Sequence, residues 1–520
     1  MSAKLKKVLF ITCCIAVAVR LISVYAVSGS ALQAYNLLPG LDMETLMRFS
    51  NWSSGHPESA PMFVLHRFLL YFSHLLAGGS YNLTLIHALQ AALGAAAALF
   101  AAYGAYLLTR KEYIGLAAGI FYAVYGPVLL YECVALQESV LVHTLTISLV
   151  LYLKYAEDIR HNLPWGVAAG ILLGLNSAGR PASAFAAAAL ALYPLLLCRK
   201  EKMSFARFAP LCGTAAVWLA ASLFNGYFRN SFSPFFNVMP HLTDIHASGT
   251  PVQGVPDSGS ALLAYGKVLL AAVKGVPHLL GIREIPENLD YCLLVRKYPL
   301  FGIGPVWLMP PAVAGAVAMV LLKRKNYLPL FIAFAALILP LAARCPIGRY
   351  RLMLVPLFIL FAAAFINELI ANKEKRQALV AILVGVLGAN LFDRPFERPN
   401  PAANHTYALA CIKVGKQAEA VREMQKAWAI SNYSYAPSGL YLVTQYFKAG
   451  DLASVEKIIS QDRSGSPYFI YYKALLKTAR NRYSEAAQLL GEIKEPKSLG
   501  QIYPRYLKLQ EFLSVQNRKQ

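Results

Sequence analysis

Acidic side chains are scarce in this sequence, whose 520 residues include only 27 Asp and Glu against 49 Lys and Arg. Charged residues of all kinds make up 15% of the chain, whereas soluble domains average about 25%. The eight cysteines show no metal-ligand spacing, and neither do the histidines. The cysteines are therefore interpreted as small hydrophobic residues. The shortage of charge excludes an ordinary soluble domain.

Apolar residues are abundant instead, at 57% of the chain. They form uninterrupted runs as far as about Phe392, each near the roughly 20 residues that cross a bilayer. A secreted protein would carry one such run before a cleavage site. We therefore predict an all-α fold, a polytopic transmembrane bundle of about eleven spans. The predicted spans are 8–28, 83–108, 113–131, 137–155, 164–179, 182–198, 206–224, 303–322, 327–343, 352–371 and 377–393.

The formal charge of +22 is concentrated in short connectors between apolar runs, which argues against a nucleic-acid partner. Lys and Arg are retained on the cytoplasmic side of membrane helices, so these connectors are predicted to be cytoplasmic. They contain Lys4 to Lys7, Arg110 and Lys111, Lys154 to Arg160, Arg199 to Lys202, Lys323 to Lys325 and Lys373 to Arg376. Loops 29–82 and 225–302 are then outer loops, and an odd number of spans places the C-terminal tail outside. A bacterial inner membrane fits this arrangement.

The composition becomes polar near residue 400, which divides the chain into a membrane domain, 1–393, and a tail, 394–520. Gly415, Gly450 and Asn481 recur within similar segments, at a spacing close to that of tetratricopeptide repeats, which the tail resembles. Each unit is predicted to be a helix, a turn at positive φ and a second helix. Two interpretations stay open: the tail binds a partner protein or an acceptor, or it is a stabilising cap.

Carboxylates in or beside spanning helices are costly, so they are candidates for function. On the predicted outer side these include Asp42 and Glu44 in the first loop, and Glu132 and Glu138 near a later turn. Structural alternatives exist for each position. Asp42 could be a helix N-cap. Glu132 and Glu138 could cap helices or pair with arginines.

Four elements occur in an order that resembles the C superfamily of glycosyltransferases. They are Asp42 with Pro61-Met62-Phe63, Tyr125-Gly126-Pro127 leading to Glu132 and Glu138, Gly179-Arg180-Pro181, and Gly348-Arg349-Tyr350-Arg351. These polytopic enzymes use lipid-linked sugar donors and include the dolichyl-phosphate-mannose protein mannosyltransferases and the aminoarabinose transferases. The resemblance covers roughly the first two-thirds of the chain and excludes the tail.

The resemblance implies a membrane glycosyltransferase that moves a sugar from a polyprenyl-phosphate donor to an acceptor outside the cytoplasm, with inversion. Asp42 would be the general base. Arginines suit the released phosphate because a guanidinium matches its oxygens bidentately. The implied substrate-binding residues are Glu44, Glu132, Glu138, Arg180, Arg349, Tyr350 and Arg351.

Three alternatives remain beside this hypothesis. Asp42 and Glu44 form an acidic pair of the kind that binds a divalent ion in the oligosaccharyltransferase branch, although two carboxylates alone give a metal site little support. A transporter or flippase for a lipid-linked substrate would show two corresponding halves, and the sequence has no such duplication. A non-catalytic scaffold that presents the tail would leave Asp42, Glu132, Arg180 and Arg349 without a shared purpose.

Overall fold

A computed structural model describes residues 2–39, 41–43, 64–78, 82–196, 205–229, 261–282, 289–344, 348–392 and 400–519. All regular structure in these ranges is helical. The chain divides into two compact units. The first comprises residues 1–28 and 36–395, and the second comprises residues 29–35 and 396–520.

The first unit is a bundle of long apolar helices with short helices between them. Its helices are α1 (Ala3–Val27), α3 (Val64–Leu76), α4 (Leu83–Thr109), α5 (Glu112–Val124), α6 (Gly126–Glu132), α7 (Gln137–Glu157), α8 (Leu163–Gly179), α9 (Pro181–Leu196), α10 (Ala209–Arg229), α11 (Ala261–Leu280), α12 (Tyr291–Lys297), α13 (Pro305–Leu321), α14 (Leu328–Arg344), α15 (Gly348–Arg351), α16 (Val355–Ala371) and α17 (Arg376–Phe392). Helix α2 (Ala31–Ala34) belongs to the second unit.

Among the described residues, six helical stretches are long and apolar enough to cross a membrane, or seven if the bent pair α5 and α6 is one span. They are Ala3–Val27, Leu83–Thr109, Gln137–Glu157, Ala206–Leu223, Pro299–Leu321 and Gly348–Ala371. Helices α8, α9, α14 and α17 are apolar but shorter; a helix of 17 residues, as α8 is, is only about 25 Å long. The chain thus has the helices of an integral membrane protein, and the number eleven stays a prediction.

The bend between α5 and α6 is 48° and occurs at Tyr125, which has extended backbone angles. Pro127 lies in the first turn of α6, where its missing N–H costs no intrahelical bond. The N–H of Gly126 donates instead to the carbonyl of Ile303, at 2.7 Å. The break therefore follows from the Gly-Pro pair, and it points α6 into the bundle, where all seven of its residues are buried.

Helix α7 is the central element of the first unit. Most of its residues are buried, and it packs against α4, α6 and α8. Around it, α1 packs on α4 and α5, and α13 packs on α16. Small residues permit these close approaches; along α4, alanines and glycines form much of the buried face. The polar residues described below enter this apolar core from α1, α6 and α7.

The second unit contains helices α18 (Pro401–Lys413), α19 (Gln417–Ile430), α20 (Ala436–Lys448), α21 (Leu452–Gln461), α22 (Pro467–Ala479), α23 (Tyr483–Gly491) and α24 (Tyr503–Lys519). Successive helices pack on each other, and α2 packs on α18. The predicted positive φ is present at Gly415 (77°), Gly450 (74°) and Asn481 (59°). Each of these residues lies between the two helices of a pair, so the unit consists of helical hairpins with similar turns.

Candidate functional site

Two arginines from distant parts of the chain lie over one tyrosine ring. The guanidinium carbon of Arg180 is 4.8 Å from the centre of the Tyr350 ring, and that of Arg349 is 5.1 Å from it. Arg349 Nη2 also donates to the Tyr350 hydroxyl at 3.4 Å. A cation over an aromatic face is attracted by the ring's negative potential. The Tyr350 ring is therefore contacted by two positively charged side chains.

Each of these guanidiniums is paired with a carboxylate. Arg180 Nη2 donates to Glu138 Oε1, and Arg349 Nη1 donates to Asp42 Oδ2. The two carboxylates differ in exposure: the Asp42 side chain is 50% exposed and that of Glu138 only 2%. We call Asp42, Glu138, Arg180, Arg349 and Tyr350 the open cluster, because one of its carboxylates is accessible to solvent.

Local sequence explains how these side chains reach one place. Arg180 ends α8 in an extended conformation, since Pro181 disfavours helical angles in the residue before it. Glu138 lies in the first turn of α7, where the positive end of the helix dipole favours an acidic residue. Gln90 of α4 supports that turn by donating to Ser139 Oγ at 2.8 Å.

Arg351 has a different environment from Arg349. Its side chain is buried, and Nη1 donates to the carbonyl of Gly281 at 2.7 Å. This bond links α15 to the end of α11. Arg349 and Tyr350 extend from the same helix, and the substrate-binding role of Arg351 stays a prediction.

Glu132 lies in a second group of polar residues, all buried. Its Oε1 accepts from Arg20 Nη2 at 2.8 Å and lies 3.0 Å from His143 Nε2. The Tyr122 hydroxyl lies 2.9 Å from His143 Nδ1 and 3.1 Å from Thr146 Oγ1. We call Arg20, Tyr122, Glu132, His143 and Thr146 the sealed cluster. Pairing with an arginine is one of the roles that the sequence allows for Glu132, and it is observed, with Arg20; the substrate-binding role stays a prediction.

The sealed cluster ties together five helices. Arg20 is on α1, Tyr122 on α5, Glu132 at the end of α6, and His143 on α7. Helix α4 contributes Gly94, where a Cβ atom would overlap Glu132 Oε1 and approach Arg20 Nε to 2.6 Å. The glycine thus provides the space for the ion pair.

Sequence reasoning missed Arg20 and His143, although a signal was present. An arginine inside the first apolar run, and a histidine inside the run that becomes α7, are ionisable residues within membrane-length segments. Such residues need polar partners inside the bundle, whereas the predicted site residues lie in the outer loops and turns. The position of Arg20 and His143 inside apolar runs is the feature that predicts buried polar contacts.

Some predicted elements cannot be compared with the structure. Glu44 and the Pro61-Met62-Phe63 element lie outside the described residues. Within the described ranges, no three acidic, histidine or cysteine side chains converge as a metal site would require. The acidic pair formed by Asp42 and Glu44 is therefore left as a prediction.

The open cluster has the chemical groups for displacement of a phosphate. Arg180 and Arg349 both contact Tyr350, and guanidiniums bind oxyanions through charge-assisted hydrogen bonds. Asp42 offers an accessible carboxylate beside them. Glu138 Oε2 is buried and has no hydrogen-bond partner among the described residues, so it can accept from a hydroxyl group. The sealed cluster lacks an exposed member and offers no comparable access.

Comparison with known proteins adds no identification. No protein-family model, curated protein or solved structure matches the chain.

Proposed function

We propose that this chain is a membrane glycosyltransferase, which moves a sugar from a polyprenyl-phosphate donor to an extracytoplasmic acceptor. The observation that supports it most is the contact of Arg180 and Arg349 with one Tyr350 ring, beside the carboxylates of Asp42 and Glu138. The side chains come from four separate parts of the sequence. A scaffold would have no need to gather them, whereas a reaction that releases phosphate would.

The proposed reaction is an inverting displacement. Asp42 takes the proton from an acceptor hydroxyl while the oxygen attacks the anomeric carbon, and the bond from that carbon to the phosphate oxygen breaks. The electron pair leaves with the polyprenyl phosphate. One general base suffices for this step, because the leaving group needs no protonation. Asp42 suits the role since it is the accessible carboxylate of the open cluster.

The two arginines would stabilise the charge that develops on the leaving phosphate. Fixed donors aimed at developing charge lower the barrier without reorganisation. Tyr350 orients both guanidiniums, and Glu138 holds Arg180 from its buried side. Glu138 and Tyr350 thus act mainly by positioning the arginines.

The contact between Arg349 and Asp42 suggests how donor binding prepares the base. A phosphate would compete with Asp42 for the guanidinium, since both are anions. With that ion pair broken, the carboxylate would accept the acceptor's proton more readily. Donor binding would in this way activate Asp42 when the leaving group is in place.

The rest of the proposal concerns topology. We place eleven spans in residues 1–393, counting the short helices α8, α9, α14 and α17 as crossings. The tail would then lie outside a bacterial inner membrane as a tetratricopeptide-like array, where it holds an acceptor or a partner protein. The similar turns at Gly415, Gly450 and Asn481 support the array.

Purified full-length protein tests the chemistry. Transfer to acceptor extracts would be measured from a panel of polyprenyl-phosphate hexoses and pentoses, with wild type and Asp42→Asn. We expect the amide to lower the rate by about 10²–10⁴-fold, because it cannot accept the proton.

The matched control is Asp158→Asn, a conservative change at an exposed loop residue beyond the far end of α7. It should transfer at the wild-type rate. Equal rates for Asp42→Asn and wild type would remove Asp42 as the base. Failure of every donor in the panel would count against the proposed enzyme class.

A further inference from the structure

A groove lies between the ends of four membrane helices, away from the open cluster. Its volume is about 280 Å³, and the residues that line it include Leu9, Phe100, Tyr103, Leu151, Lys154 and Trp165. These side chains come from α1, α4, α7 and α8. We call this space the basic-end groove.

The basic-end groove and the open cluster lie at opposite ends of one helix. Glu138 lies in the first turn of α7 and Lys154 in its last turn, so the two residues are about 24 Å apart at 1.5 Å per residue. That distance approaches the roughly 30 Å thickness of the hydrocarbon core. The groove therefore belongs to the other membrane face, the one whose connectors are rich in Lys and Arg.

The entrance of the groove has an excess of positive charge. Glu157 pairs with two cations, Arg110 and Lys154, the latter with Nζ 2.8 Å from Oε2. One carboxylate thus balances only one of the two charges. Glu112 and Asp158 are further acidic residues at this end, but Lys111, Arg160 and the exposed Lys4, Lys6 and Lys7 that precede Leu9 on α1 leave the balance positive. The groove combines apolar walls with a cationic entrance.

The aromatic residues of the groove fit a membrane interface. Trp165 is 45% exposed at the start of α8, and Tyr103 lies beside Lys154 in the lining. Trp and Tyr are enriched where headgroups meet acyl chains. A second cavity, lined by apolar residues including Ile114, Phe121 and Trp307, has about half the volume and no charged lining residue. Only the basic-end groove, of these two, pairs apolar surface with cations.

We infer that the basic-end groove binds an anionic phospholipid, with an acyl chain between Leu9, Phe100 and Leu151 and the phosphate beside Lys154 and Arg110. The charge excess selects a negative headgroup, because a basic residue near the surface contributes about 1 kcal/mol toward anionic lipid. The apolar walls of the groove favour the acyl chain of the lipid. The site is separate from the proposed transfer reaction and would anchor α1, α4, α7 and α8 to one leaflet.

Quenching of Trp165 by brominated lipids tests this inference in full-length protein reconstituted in nanodiscs. The Trp165 signal is the difference between wild type and Trp165→Phe. Brominated phosphatidylglycerol should quench it at a lower mole fraction than brominated phosphatidylcholine. Lys154→Gln should reduce that preference about five-fold, the factor equivalent to 1 kcal/mol. Lys375→Gln, in another basic connector, is the matched control and should leave it unchanged.

Two other outcomes would overturn the inference. Equal quenching by the two lipids in wild type would remove the anionic selection, and this comparison needs no variant to fold. Unlabelled polyprenyl phosphate that restores Trp165 fluorescence more effectively than unlabelled phosphatidylglycerol would assign the groove to the donor instead. Leu9→Phe, which narrows the groove, should weaken quenching by both brominated lipids.

Discussion

The open and sealed clusters both pair arginine with glutamate or aspartate, yet they differ in what can reach them. In the open cluster the Asp42 side chain is 50% exposed, and two guanidiniums share one aromatic ring. In the sealed cluster Arg20 and Glu132 are both about 2% exposed, and Glu132 also contacts His143. An incoming ligand can replace a partner in the first cluster. In the second, the partners are fixed by the bundle.

This difference separates two uses of charge in an apolar bundle. A buried ion pair offsets part of its own desolvation cost, and its loss exposes an unpaired charge to a low dielectric. A half-exposed pair is worth less to stability, since water solvates either partner alone. Changes in the sealed cluster should therefore act on folding, and changes in the Asp42–Arg349 pair of the open cluster on transfer.

The largest effect is expected from Arg20→Met, which leaves Glu132 buried without its cation. The free energy of unfolding in an SDS titration should fall by about 3–5 kcal/mol. Arg20→Met combined with Glu132→Leu should recover much of this loss, because no charge then remains unpaired.

Arg110→Met is the control for that comparison, since it removes the same side chain from the exposed pair with Glu157. Its cost should stay below about 1 kcal/mol. Similar losses for the two single variants would mean that burial does not distinguish the pairs.

The next largest effect is expected from Arg349→Lys, which keeps the positive charge but removes the planar guanidinium that binds phosphate through two hydrogen bonds. Transfer from polyprenyl-phosphate sugar should slow by about 10–100-fold, equivalent to 1.4–2.7 kcal/mol in the barrier. The unfolding free energy should change by less than about 1 kcal/mol. Arg376→Lys, in a connector, serves as the control. A stability loss as large as that of Arg20→Met would show that the open cluster is structural as well.

The helices were predictable from the sequence, and the contacts were not. Apolar runs of membrane length located the elements, and the predicted span 113–131 bends in the structure at the Gly126-Pro127 pair. The pairing of Arg20 with Glu132 joins residues 112 positions apart, and that of Arg349 with Asp42 spans 307 positions. Run length and periodicity carry no information on such distances. The resemblance selected residue types in order, and only the packing of α7, α8 and α15 determines which of them touch.

Tyr350 offers a smaller test of how the open cluster is assembled. Tyr350→Leu removes the ring beneath Arg180 and Arg349, and each lost contact is worth about 0.5–1 kcal/mol. Transfer should then slow by roughly five- to thirty-fold. Tyr350→Phe keeps the ring and loses the long, 3.4 Å contact with Arg349 Nη2, so its rate should stay near wild type. A phenylalanine variant as slow as the leucine variant would assign the effect to the hydroxyl.

The smallest effect concerns His405, a partly buried histidine whose Nδ1 lies 3.0 Å from Ser438 Oγ. His405 contacts a neutral hydroxyl, whereas His143 lies beside the carboxylate of Glu132. Burial lowers the pKa of His405 below the ordinary 6.5. The unfolded state therefore binds the proton more readily, so stability is lost as pH falls below about 6.5 and is unaffected well above it.

Hydrogen exchange of α18 and α20 in the full chain should show less protection at pH 5 than at pH 7.5, after correction for intrinsic rates. His405→Gln should remove that difference, because the amide does not titrate and His405 is the only histidine of the tail. The exposed carboxylates of Glu456 and Glu485 have pKa values lowered by hydrogen bonds to basic side chains. Their protonation therefore affects stability at a lower pH than the protonation of His405. A pH effect that persists in His405→Gln would exclude this histidine as its source.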